Sequence, residues 1–229
     1  MLAGAPRRRR VRPRLSDEAA THVRELIVSG QLHTGDFIRP EAVAEELEIS
    51  ATPAREGLLL LQAEGFLEVE PRRGFRVTAL STKDVSDMFE AQALLAGELG
   101  ARAAQNVTDA QLAELESLQD RLEAAAKDED LDRVEELNFE FHRAVYFLAD
   151  APKIAWLLRS TLRYAPRRFY ATIGGWPEAT LHDHREIMTA LRSGDVLAAR
   201  EALSGHIRSA GRLLVEHLEA QERGDRSAD

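Results

Sequence analysis

The sequence predicts a mainly α protein: three helices closed by a β-hairpin, followed by an all-α antiparallel helical bundle of about six helices. Three observations carry that expectation. Phe66-Leu67-Glu68-Val69-Glu70 and Phe75-Arg76-Val77-Thr78 alternate at period two around Pro71-Arg72-Arg73-Gly74, the pattern of a hairpin with a basic tip. Just ahead of it, two helical patterns abut with only a tight turn between them. Beyond Thr78 no strand signal recurs, and each apolar-periodic segment is amphipathic at helical spacing.

The 229 residues suffice for one large or two modest domains, each able to bury a core. With 44% hydrophobic and 30% charged residues, the composition is that of a soluble globular protein. There is no cysteine, which excludes disulfides and thiolate metal sites. No apolar run approaches the roughly 20 residues that span a bilayer. The charged N-terminus has no apolar segment behind it, unlike a secretory signal. A cytoplasmic protein with no membrane partner is expected. The net charge of −9 is unevenly spread: residues 1–80 hold 12 arginines against 12 acidic residues, and residues 81–229 hold 18 basic against 27 acidic. Six of those arginines stand in Arg7-Arg8-Arg9-Arg10-Val11-Arg12-Pro13-Arg14, which has nothing to form a core. Residues 1–15 are therefore read as a disordered basic arm, either solvated or following phosphates.

Leu15-Ser16-Asp17-Glu18 opens the first helix, with Ser16 as its cap and two acids suited to the helix dipole. Ala19, Val23, Leu26 and Ile27 form its apolar side, and Ser29-Gly30 ends it. His22 and His33 are read as surface or backbone-bonding residues. A short second helix follows Arg39, with Ala42, Val43 and Leu47 inward, and turns at Ile49. Ser50 and Thr52 are candidate caps of the third helix, whose first turn tolerates Pro53. Leu58, Leu61 and Gln62 continue it to Gly65, a stop signal. Over residues 16–80 this makes a winged helix-turn-helix, a layout that reads DNA. The first turns of the third helix would enter the major groove, where arginine can clamp a guanine or a phosphate. Arg55 and its neighbour Thr52 are thus candidate DNA-binding residues, joined by Arg39 ahead of the second helix. Arg72, Arg73 and Arg76 on the wing are candidates for phosphate or minor-groove contacts.

Residues 16–80 resemble the winged helix-turn-helix of the GntR family of bacterial transcription regulators. The family's Ser-Arg-Thr-Pro-Val-Arg-Glu-Ala-Leu run stands here as Ser50-Ala51-Thr52-Pro53-Ala54-Arg55-Glu56-Gly57-Leu58. The Glu64-Gly65-Phe66-Leu67 corner and the Pro71-Arg72-Arg73-Gly74-Phe75-Arg76-Val77 wing also fit. Ala51 is the departure, since relatives usually carry a DNA-contacting arginine there.

In the second part, Ser81 or Thr82 caps a helix running to residue 105, Thr108 caps another to 127, and Leu131 begins a third that ends near 149. A fourth spans 152–173 with a kink at Pro166. Gly174-Gly175-Trp176-Pro177 is a loop, and a fifth helix covers 178–192. Ser193-Gly194-Asp195 turns the chain into a sixth, reaching residue 219. Residues 81–221 form the bundle, with 222–229 as a disordered tail.

Three bundle histidines fall on apolar faces. His206 continues the stripe Ala199, Leu203, Ala210, Leu213, while His184 sits with Leu181, Ile187, Met188 and Leu191. They lie about ten and twelve residues either side of the turn, so at about 1.5 Å per residue they meet at one level of a helix pair. Asn138 and His142 are one turn apart on the third bundle helix, alongside Val134 and Val145. Four inward polar groups from three helices can surround one ion. Three buried imidazoles with no shared partner would each leave unpaired groups at roughly 1–3 kcal/mol. His182 and His217 are read as solvated, and Glu140 and Asp183 as pointing away from the cluster.

The bundle also resembles the FCD effector domain of the FadR-like branch of the same family. The family pattern of an acid four residues before a histidine, followed by two later histidines, is matched in order by Asn138 to His142, His184 and His206. The resemblance implies a homodimer whose bundle binds a divalent metal and a small organic acid effector. Zinc is the first expectation, with nickel and manganese as alternatives. Asn138 departs from the usual acid, giving a neutral amide oxygen. Gln92 falls near an arginine that relatives use toward acidic effectors, and Arg102, Arg163 and Arg167 are further candidate effector contacts. The expected function is a ligand-responsive regulator, a repressor, that binds a double-stranded DNA operator. Two alternatives stay open: a metal-dependent hydrolase using the histidines, which has no motif for a second catalytic player, and a metal-free structural bundle.

Overall fold

The computed structural model describes residues 14–28, 30–78, 81–162 and 173–226. The chain divides into two compact units, 1–79 and 80–229.

The first unit contains α1 (Leu15–Val28), β1 (Phe37–Ile38), α2 (Pro40–Glu46), α3 (Ala51–Ala63), β2 (Leu67–Glu70) and β3 (Gly74–Val77). Ala19, Ala20 and Val23 of α1 pack on Ala54, Leu58 and Leu61 of α3 to build its core. Gly57 lets these helices approach closely: a Cβ there would lie 2.7 Å from the Ser16 carbonyl oxygen and 2.8 Å from the Ala19 Cβ. Ser16 is not the cap of α1, because the helix already begins at Leu15 and the Arg14 carbonyl accepts from the Asp17 and Glu18 N–H groups. Ser50 stands at the N-cap position of α3 without a side-chain capping bond, and Thr52 lies inside the helix. On α2 the buried residues are Pro40, Val43 and Ala44, with Ala42 exposed; Gln62 is likewise exposed.

The wing is a three-stranded antiparallel sheet in the order β1-β3-β2, not a bare hairpin. Its register pairs Leu67 with Val77, Glu68 with Arg76 and Ile38 with Phe75. Along β3, Phe75 and Val77 are buried and Gly74 and Arg76 less so, the period-two alternation of a half-buried sheet, whereas on β2 Leu67 is buried and Val69, two residues on, is exposed.

The second unit consists, among the described residues, of α4 (Thr82–Asn106), α5 (Asp109–Lys127), α6 (Leu131–Leu148), α7 (Pro152–Thr161), α8 (Trp176–Ser193) and α9 (Val196–Arg226). Ser81 with Asp84 and Thr108 with Gln111 form capping boxes that satisfy the first N–H groups of α4 and α5. Phe89, Leu99, Leu122, Leu137, Phe141, Ile187 and Leu203 are in its core. Helices α4 and α9 cross along a small-residue seam, where the Ser204 hydroxyl donates to the Ala93 carbonyl at 2.9 Å. Helix α8 starts at Trp176, inside the expected loop, because that indole is buried and anchors the first turn. Helix α9 reaches Arg226 and so runs into the expected tail. Pro166, with its expected kink, and Arg163 and Arg167 lie outside the described residues. Among the described residues no helix is long and apolar enough to cross a membrane.

Candidate functional site

Two surfaces carry chemistry, one in each unit. In the first, Thr52 and Arg55 are exposed on the opening turns of α3, and Arg39 is exposed immediately before α2. Arg72 and Arg73 are exposed at the wing turn, where Arg72 adopts φ 68°. The guanidinium of Arg73 sits 5.5 Å from the centre of the Phe37 ring, so the short strand β1 supplies a platform for the tip. Arg76 is arranged differently. It faces Glu68 across the ladder and pairs with it at 2.8 Å and with Glu70 at 3.3 Å, so two carboxylates neutralise it. Cross-strand position predicts such a pair, and hairpin register was the signal that sequence reading missed.

In the second unit, α6 supplies His142, α8 supplies His184 and α9 supplies His206. Their ring centroids form a nearly equilateral triangle with sides of 5.1, 4.9 and 5.0 Å. One ligand nitrogen from each lies within 4.8 Å of the others. His184 and His206 are buried and His142 is partly so. The turn between α8 and α9 brings their histidines to one level, as helical rise requires.

The hydrogen bonds assign the tautomers. Gln119, buried on α5, directs its amide nitrogen to Glu123 Oε1 at 3.0 Å and the Leu181 carbonyl at 3.4 Å. Its Oε1 therefore accepts from His184 Nδ1 at 3.0 Å, leaving His184 Nε2 as a buried lone pair with no hydrogen-bond partner. His206 Nδ1 donates to Asp183 Oδ2 at 3.1 Å, which leaves its Nε2 as an acceptor facing His142 Nε2 at 3.0 Å. Two nitrogens each about 2.0–2.1 Å from one ion are roughly 3.0–3.4 Å apart, so this spacing suits neighbouring ligands. Asn138 Oδ1, one turn before His142, is also buried without a hydrogen-bond partner. An inward lone pair and an orphaned amide oxygen fit a bound cation.

Burial, and secondarily the neighbouring His206, hold the His142 imidazole well below its usual pKa. The same causes act on His184, with His142 adding to them. Both are thus neutral, the form that ligates metal. Burial raises the phenol of Tyr146, which stacks on His142 with centroids 5.7 Å apart, so it stays protonated. Sequence reading missed Gln119 and misplaced Asp183. The first interrupts the apolar stripe Leu112, Leu115, Leu122 on α5, a signal that was available. The second points away from His184 but reaches His206 on the next helix. An open groove of about 730 Å³ between α8 and α9 has Asp183 and His206 in its lining.

The remaining candidates lie apart from this cluster or are otherwise engaged. Gln92 is buried and donates to the Thr161 carbonyl at 3.1 Å. Arg102 is exposed and paired with Glu98 at 2.8 Å. His182 is exposed beside Glu186, as a solvated residue is; His217 is half-buried instead.

Family models match both units: residues 15–77 match that of bacterial regulatory proteins, gntR family, and residues 87–209 match the FCD domain. The HTH-type transcriptional regulator McbR of Escherichia coli is 28% identical over 180 residues, covering 76% of this chain and 81% of McbR. The HTH-type transcriptional repressor RspR of the same organism is 26% identical over 188 residues, covering 81% and 82%. The solved structure of E. coli McbR/YncC superposes with a TM-score of 0.68 at 22% identity, covering 89% of this chain and 98% of that one, and so shares its fold.

Proposed function

The chain belongs to the GntR family of bacterial regulatory proteins and carries an FCD domain, and we propose that its bundle is a metal-dependent sensor that controls operator binding. It is a DNA-binding transcriptional regulator, as its family and named relatives are, and not an enzyme. The single observation that carries the sensor reading is the triangle of three imidazoles, one of which, His184, has a buried Nε2 with no hydrogen-bond partner.

His142, His184 and His206 would hold a divalent cation, with Asn138 Oδ1 as a neutral fourth donor. Zinc, nickel and manganese all accept such a set. The ion would supply Lewis acidity and an attachment point for a carboxylate. Gln119 and Asp183 hold the two ring tautomers that aim lone pairs inward, and Tyr146 offers a protonated hydroxyl beside His142. A small organic acid completing the coordination would favour one arrangement of two winged helices in a homodimer. DNA affinity then shifts by the acid's differential binding to the two states. Twofold-related copies of α3 would read two half-sites through Thr52 and Arg55, while Arg39, Arg72 and Arg73 meet phosphates or the minor groove. The repressor sign follows the relative that is named a repressor.

Metal analysis of the purified protein tests this reading. One ion per chain is expected in the wild type and none in His184→Ala/His206→Ala. Equal contents would remove the sensor as described.

A further inference from the structure

We propose that Arg24 is a positioning residue for DNA binding, whose guanidinium fixes the angle between the reading helix and the wing. The proposal rests on the reading of Arg72 and Arg73 as DNA contacts. Arg24 lies on α1, which bears none of the candidate contacts, and it is only 8% exposed. Its Nη2 is 2.6 Å from Glu64 Oε2, in an ion pair whose side chains are 10% and 13% exposed. The same guanidinium is 5.8 Å from the centre of the buried Phe66 ring. Glu64 is where α3 ends, and Phe66 immediately precedes β2. Between them stands only Gly65, at φ 84°. Thr78, just past β3, is tied to the same corner, its hydroxyl donating to the Gly65 carbonyl at 2.5 Å and its N–H to the Phe66 carbonyl at 2.9 Å. One cation therefore grips both sides of a one-residue hinge.

The lever arm makes a small loosening matter. At about 3.3 Å per residue the wing tip at Arg72 lies roughly 20 Å from Phe66, and a rotation of ~10° at the corner moves it by about 3 Å. That exceeds the tolerance of a hydrogen-bonded phosphate contact. The exposed pairs of the bundle, such as Arg102 with Glu98, are screened and replaceable. The Arg24–Glu64 pair is nearly dry, so losing Arg24 removes, at the hinge itself, the cation that spans Glu64 and Phe66.

The test uses an operator duplex selected by the wild-type chain from a random-sequence pool, with affinity measured against salt. Four proteins enter a cycle: wild type, Arg72→Ala/Arg73→Ala, Arg24→Met, and the triple variant. Each phosphate contact contributes about 0.9 to the log–log slope. The wing variant should flatten the slope by about 1.8. Arg24→Met should flatten it similarly while keeping wild-type helix content by circular dichroism. The triple variant should bind no more weakly than the wing variant, and Arg24→Lys should regain most of the slope. If Arg24→Met does not fold, Glu64→Gln, which keeps a neutral acceptor at the corner, takes its place. A wild-type slope in the folded variant, or an equal loss of affinity with and without the wing arginines, overturns the proposal. An unchanged slope in the wing variant would instead remove the wing as a DNA contact, and the clamp's role with it.

Discussion

Acidifying the metal-free protein should destabilise the bundle well before its carboxylates titrate. His142 and His184 are held neutral in the fold by burial and by neighbouring imidazoles, with pKa values well below 6.5. In the unfolded chain both titrate near 6.5. Between the depressed folded values and 6.5 the unfolded state thus binds more protons, and stability falls as pH falls through that window. From pH 7.5 to 5.5, two histidines that charge only when unfolded together contribute a loss on the order of 2–3 kcal/mol. With a urea dependence of about 1–3 kcal/mol per molar, the midpoint should drop by roughly 1–3 M. The chain has two tryptophans, Trp156 and Trp176, both in the bundle, and Trp176 is buried. Intrinsic fluorescence therefore follows the unfolding of this unit alone. The assay is urea denaturation of chelator-treated protein at pH 7.5, 6.5 and 5.5. His142→Gln should halve the pH dependence. A midpoint that stays level across this range would refute the assignment of two neutral buried imidazoles.

Two further perturbations follow from the geometry. Asp183→Ala and Gln119→Leu should each weaken metal binding by about 10–100-fold, because each frees a ring from the bond that sets its tautomer; competition with a chromogenic chelator measures this, and unchanged affinity would mean the rings are aligned without them. Gly57→Ala should lower the thermal stability of the DNA-binding unit even though alanine is favoured in a helix by about 1 kcal/mol. The new Cβ would meet the backbone of α1, which no rotamer relieves, and overpacking typically costs about 1–3 kcal/mol. Hydrogen exchange of α1 and α3 reads the outcome, and unchanged protection would show that α1 yields.

Much of this architecture was legible because helical periodicity survives without tertiary information. The third helix announced itself through Thr52-Pro53 and the Leu58, Leu61 stripe, and the histidines through inward spacing on three helices. What escaped were features set by neighbours in space. β1 is two residues long, too short for any periodicity, and exists only because β3 offers it a partner. Asp183 sits beside a candidate ligand in sequence, yet its angular offset on α8 aims it at the His206 ring. Arg76 looked like a free wing cation until register set Glu68 opposite it. Gln92 and Arg102 stood on one helix, but one turned inward to the Thr161 carbonyl and the other outward to Glu98.

In the proposed switch, the histidine cluster of the bundle governs the winged helix. Operator affinity measured for chelator-stripped and zinc-loaded protein, with and without a panel of small carboxylic acids, tests it most directly. Zinc, alone or with at least one acid, should change the dissociation constant by about 5–150-fold in the wild type and leave His184→Ala/His206→Ala unaffected. The same dissociation constant in every state of the wild type would contradict it.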